Sequence, residues 1–142
     1  MDILKVEGVL ETALYVSDLK VSITFYKRLF NLETLMTNES FCALNVSEKQ
    51  VLLLFLKDGA AWSKEEINVH KGPIPPHGGT GSLHLAFSIM ESDLIPWRNL
   101  LNTNRIKIES EYKWERGGTS LYFRDPDNHL LELATPGLWS IY

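Results

Sequence analysis

The 142-residue sequence is poor in cysteine, in clustered positive charge and in long apolar runs, and each shortage removes a class of protein. Cys42 is the single cysteine, so no internal disulfide can staple the fold. In the strand-like stretch SFCALNV it alternates with Leu44 and Val46 and reads as a core residue. Lys and Arg never exceed two in succession, and the formal charge is −4, so the electrostatic footprint of a nucleic-acid or anionic-membrane partner is missing. No apolar run approaches the roughly 20 residues of a membrane span. The opening MDILKVEGVL, with an acid at its second position, lacks the apolar core and small-residue cleavage site of a secretory signal. The expectation is a soluble cytoplasmic protein. What is present, 44% hydrophobic and 23% charged residues, suits a single domain over 1–142 with a real core.

The chain repeats itself. Laying residues 84 onward over residues 11 onward sets HLAFSI on ETALYV, so that His84 falls on Glu11, Ala86 on Ala13 and Phe87 on Leu14. Both strands run into a helix start. In SDLKVSITFYKRLFN, Ser17 or Asp18 is the expected N-cap, with Leu19, Ile23, Tyr26, Leu29 and Phe30 at helical spacing. In ESDLIPWRNLLNTN, Ser92 or Asp93 is the expected cap, with Pro96 in the first turn and Leu94, Trp97, Leu100 and Leu101 on one side. Strands then follow in each half: LETLM, SFCALNV and QVLLLFL in the first, IKIES, SLYFRD and HLLELAT in the second. Aligning these sets Ser120 on Phe41, Tyr122 on Ala43 and Glu132 on Leu53. The expected fold class is therefore α+β, two βαβββ modules spanning about 8–57 and 83–136. The connection at about 58–82 contains KGPIPPHGGTGS, too rich in Pro and Gly for a helix or central strand, and Trp62 is a candidate opener of a short helical turn within it. Connections this long in a compact domain are often functional.

Strand parity assigns the faces. His84, Ala86 and Ser88 share one face and Leu85, Phe87 and Ile89 the other; Ser120, Tyr122 and Arg124 oppose Leu121 and Phe123; Glu132 opposes Leu131 and Leu133; Glu11 opposes Leu14 and Val16. One face of each sheet is apolar and needs helices to cover it. The other is sparse and partly polar, and sheet twist would curve it into a cup with the helices on its convex side.

The stretches ALYVSDLKVSITFYKRLFNLE, GSLHLAFSI and SLYFRDPDNHLLELATP, in this order and with the internal repeat, resemble the glyoxalase, bleomycin-resistance and dioxygenase superfamily, whose paired βαβββ modules build a cupped mixed sheet around a metal. Carried over position by position, the resemblance implies Glu11, His84 and Glu132 as metal ligands, with Leu53 at a fourth position that cannot ligate. It implies one divalent ion (Mn, Fe, Zn or Mg), which the two carboxylates need if they are to be held together. A solvated Glu11, or one paired with Arg116 or Arg124, is the alternative. His77 in PPHGG and Tyr122 are candidate catalytic residues. Phe41, Leu53, Phe55, Arg116, Ser120 and Tyr122 are candidate substrate contacts, with Arg116 suited to a carboxylate or phosphonate. His129 in the turn DPDNH reads as structural and His70 as surface.

Three functions are compatible with these residues. The leading expectation is a divalent-metal-dependent isomerase, lyase or dioxygenase acting on a small, partly apolar molecule with vicinal oxygens. One alternative is a thiol or water transferase of the fosfomycin-resistance type, which GGTSLYFRDPDNHLLEL resembles. The other is a metal-free ligand-binding protein of the bleomycin-resistance kind. The resemblance also implies a homodimer.

Overall fold

The computed structural model describes residues 3–57 and 74–142, and the candidate helical turn at Trp62, like His70, lies outside them. The chain divides into two compact units, residues 1–79 and 80–142, and the boundary falls inside the expected connection.

In the first unit, β1 (Glu11–Val16) leads into α1 (Leu19–Phe30), followed by β2 (Glu33–Thr37), β3 (Phe41–Val46) and β4 (Gln50–Leu56). The sheet order is β1-β4-β3-β2, with β1 parallel to β4 and the other pairs antiparallel. Asp18 is the N-cap of α1: its carboxylate accepts the Val21 N–H at 3.1 Å, and Asn31 ends the helix in the left-handed region. Leu19, Ser22, Tyr26 and Leu29 form the buried stripe of this helix, and Tyr26 is fully enclosed with Phe30 stacked beside it. Leu14, Val16 and Leu44, which parity predicts to face inward, complete this core with Leu52 and Leu54, and Cys42 is buried in it.

The second unit repeats the plan: β5 (His84–Ser88), α2 (Leu94–Thr103), β6 (Ser110–Lys113), β7 (Thr119–Arg124) and β8 (Leu130–Ala134), in sheet order β5-β8-β7-β6. Leu121, Phe123, Leu131 and Leu133 are fully buried, as is Leu101 of α2. The repeat holds in register as well as in order, for Ala13 pairs with Leu53 in one unit and Ala86 with Glu132 in the other. The chain is thus α+β, two βαβββ modules with two four-stranded mixed sheets.

Two boundaries differ from the sequence expectation. A 3-10 turn, Glu91–Asp93, precedes α2, and Asp93 makes no side-chain cap; the Leu94 N–H bonds instead to the Glu91 carbonyl, so the backbone satisfies a group that a cap would serve. The strand expected from IKIES begins only at Ser110. Arg105 sits at φ 57 and the Ile106 N–H returns to the Leu101 carbonyl, so the β-branched run closes the helix before the ladder with β7 can start. Among the described residues no helix is long and apolar enough to cross a membrane.

Candidate functional site

In the second unit, β5, β7 and β8 bring His84, Ser120, Tyr122 and Glu132 onto one face, because Ala86 and Tyr122 both register with Glu132. Glu132 is only 4% exposed and Ser120 fully buried, whereas half of the His84 side chain is open. His84 Nε2 stands 3.2 Å from Glu132 Oε1. The other ring nitrogen, Nδ1, lies 2.9 Å from the Leu130 carbonyl, which can only accept, so Nδ1 carries a proton. A neutral ring in this tautomer turns the Nε2 lone pair toward a carboxylate oxygen. Two acceptors at that separation require a cation between or beside them, either a proton on Nε2 or a metal ion. The donor set therefore fits a divalent metal, with an imidazole whose second nitrogen is fixed by a backbone carbonyl, the arrangement usual for metal-ligating histidines.

The Glu132 carboxylate is held from its other side. Ser120 Oγ donates to Oε2 at 2.5 Å, and Trp114 Nε1 donates to Ser120 Oγ at 2.8 Å. The Tyr122 ring tilts against His84 at 6.4 Å between centroids. Burial, followed by the charge of Glu132, pushes the Tyr122 phenol above its ordinary value of 10.0. At neutral pH it is an O–H donor.

The first unit gathers a different group. Phe41 stacks on Phe55 at 5.7 Å, Phe55 on Tyr15 at 6.0 Å, and the His77 ring stands edge-on to Phe55 at 4.5 Å. The Tyr15 hydroxyl and His77 Nδ1 are 2.6 Å apart. Gly79 lies so close to Tyr15 that a Cβ there would come within 2.6 Å of its ring, which is why position 79 is glycine. Leu53, between Ala13 and Ala43, keeps this face apolar where the resemblance has a fourth ligand. Glu11 heads β1, exposed, and its carboxylate has no hydrogen bond or ion pair among the described residues.

Arg124 is engaged by Glu109, with Nε to Oε2 at 2.7 Å and NH2 to Oε1 at 3.1 Å, so Glu109 is its carboxylate partner. Arg116 is exposed in the turn between β6 and β7, closed by the Gly117 N–H to the Trp114 carbonyl. His129 is fully buried, its Nδ1 accepting the Leu83 N–H at 2.9 Å, in keeping with its structural reading. Among the described residues, no three His, Cys, Asp or Glu side chains gather within either unit; the second unit supplies the His84 and Glu132 pair.

Sequence reasoning missed two participants. Tyr15 shares the parity of Glu11 and Ala13, and that alone could have flagged it. Trp114 lies beyond the end of β6, where no parity applies, but a part-buried indole N–H needs an acceptor.

Comparison with known proteins places these features. The family model described as Glyoxalase/Bleomycin resistance protein/Dioxygenase superfamily matches residues 8–133. Metallothiol transferase FosB of Staphylococcus epidermidis is 31% identical over 84% of this chain and 75% of its own length. Glutathione transferase FosA of Serratia marcescens is 32% identical over 88% of this chain and 78% of its own. A crystal structure of lactoylglutathione lyase from Agrobacterium tumefaciens superposes with a TM-score of 0.82 at 29% identity, covering 94% of this chain and 97% of that one.

Proposed function

Because the chain belongs to the glyoxalase/bleomycin resistance protein/dioxygenase superfamily, we propose that it is a divalent-metal-dependent transferase that joins a thiol to a small, oxygen-bearing electrophile. The observation that carries this reading is the His84 Nε2 and Glu132 Oε1 pair, two acceptors turned on one another at 3.2 Å beside a fixed tautomer. Relatives named as a metallothiol transferase and a glutathione transferase support the chemistry.

A divalent ion held by His84 and Glu132 would supply Lewis acidity to stabilise charge on a substrate oxygen. In the transfer, the thiolate sulfur bonds to the electrophilic carbon, the bond from that carbon to oxygen breaks, and the oxygen takes up a proton. Tyr122, kept protonated, is the donor to that oxygen. Arg116 supplies the cation for an anionic group on the substrate.

A second reading, a lyase acting on a glutathione adduct, draws on the 29% identical lactoylglutathione lyase. Leu53 weighs against it, since a leucine there offers neither ligand nor base. The dioxygenase chemistry considered from the sequence has no support from the relatives named above.

The test is a thiol panel. The protein, loaded with Mn²⁺ or Zn²⁺, is incubated with a small epoxide bearing a phosphonate and with glutathione or another low-molecular-weight thiol, and thioether is followed by mass spectrometry. Thioether formation that stops on chelation is expected. Turnover of a hemithioacetal with no thioether from any epoxide would favour the lyase, and neither product would overturn the assignment.

A further inference from the structure

We propose that Trp114 and Ser120 are positioning residues for Glu132, forming a one-way hydrogen-bond relay that sets the orientation of its carboxylate and thereby the metal affinity of the site; this rests on the metal-dependent reading above.

The direction of the relay follows from the chemistry of its members. An indole N–H can only donate, so at 2.8 Å from Trp114 Nε1 the Ser120 oxygen must accept. Its single proton is then left for Glu132 Oε2, 2.5 Å away, and the acceptor there is a carboxylate oxygen. The terminal torsion of a glutamate is broad and nearly two-fold, so an unheld carboxylate samples many planes. Here one oxygen is tied to β7, which leaves Oε1 as the oxygen that faces His84 Nε2.

Burial makes the relay consequential. Ser120 is fully buried and Glu132 is 4% exposed, so water cannot readily replace a lost partner. Trp114 is part-buried with its ring edge-on to Tyr112 at 4.7 Å, and Tyr112 pairs with Ser120 across the ladder, so β6 and β7 fix the indole beside the hydroxyl. Parity and the resemblance made Ser120 a candidate substrate contact, and its oxygen bonds at both ends, to Trp114 and to Glu132.

The experiment measures Mn²⁺ affinity by electron paramagnetic resonance for the full chain and its Trp114→Phe, Ser120→Ala and Ser120→Thr variants, with thermal unfolding of each metal-free protein alongside. Trp114→Phe keeps the ring and removes only the donor, so it tests the relay should Ser120→Ala fail to fold. The expected result is a loss of about 10- to 100-fold in affinity for Trp114→Phe and Ser120→Ala, the range typical of outer-sphere partners, with Ser120→Thr restoring most of it. Equal affinities across the set, with wild type binding Mn²⁺, would overturn the relay and leave the metal reading intact. A wild-type protein that binds no Mn²⁺ would overturn both.

Discussion

Tyr122 shows how one residue's surroundings become a measurable property. Its phenol is raised in the fold by burial and by the Glu132 charge, so the stabilisation it gives is complete below 10.0, the ordinary value, and is lost as pH rises through the higher folded-state value. Tyr122→Phe should flatten the alkaline fall in stability, measured as urea unfolding between about pH 9 and 11, and should delete a late-titrating component of tyrosinate absorbance. A second late component, from Tyr142, should persist, since burial raises that phenol as well. His129 belongs to this scale too. Its buried ring accepts the Leu83 N–H, so His129→Ala opens a cavity and leaves a part-buried donor without its acceptor. A loss of about 2–4 kcal/mol in denaturant unfolding is expected, with the repeat strands otherwise intact. The faces of His84, Tyr122 and Glu132 were legible because side chains alternate along any strand. The partners of Ser120 were not, because a hydroxyl at an outward parity position gives no sign that an indole from a neighbouring turn will cover it.

Elements were legible where their signals were local. The Asp18 cap, the apolar stripe of α1 and the strand QVLLLFL sit where spacing puts them, since each depends on residues within a few positions. The start of β6 was not legible, because the β-branched residues of IKIES favour a strand while the left-handed Arg105 and the turn after α2 hold that segment out of the ladder. Asp18→Ala removes the acceptor for the Val21 N–H and should cost about 1 kcal/mol, read from thermal unfolding. The turn between β6 and β7 meets the segment after β8 at Gly118, where a Cβ would lie 2.7 Å from Leu138 Cδ1 and 2.9 Å from the Pro136 carbonyl. Gly118→Ala must therefore move backbone, not merely a side chain. A destabilisation of about 1–3 kcal/mol is expected, with lowered Mn²⁺ affinity because Trp114 and Ser120 flank this turn.

At the scale of the molecule, the repeat was the most informative feature of the sequence, since two copies of one βαβββ plan can be checked against one another residue by residue. Its equivalence of Leu53 with Glu132 is reproduced in the strand registers of both units. The choice among transferase, lyase and binding protein was not legible, because it depends on which groups surround the His84 and Glu132 pair. Ile3, Leu4, Val6, Val9 and Leu10 are exposed ahead of β1, an apolar arm that is consistent with the expected homodimer. Sedimentation should then give twice the 16.2 kDa chain mass. The central claim is that His84 and Glu132 hold a divalent ion, and its most direct test is elemental mass spectrometry on protein purified without chelator, for wild type and for Glu132→Gln and His84→Ala. The account expects about one divalent ion per wild-type chain and its loss in both variants. Wild-type protein that holds no metal after reconstitution with Mn²⁺, Fe²⁺ and Zn²⁺ would contradict it and leave a ligand-binding protein in its place.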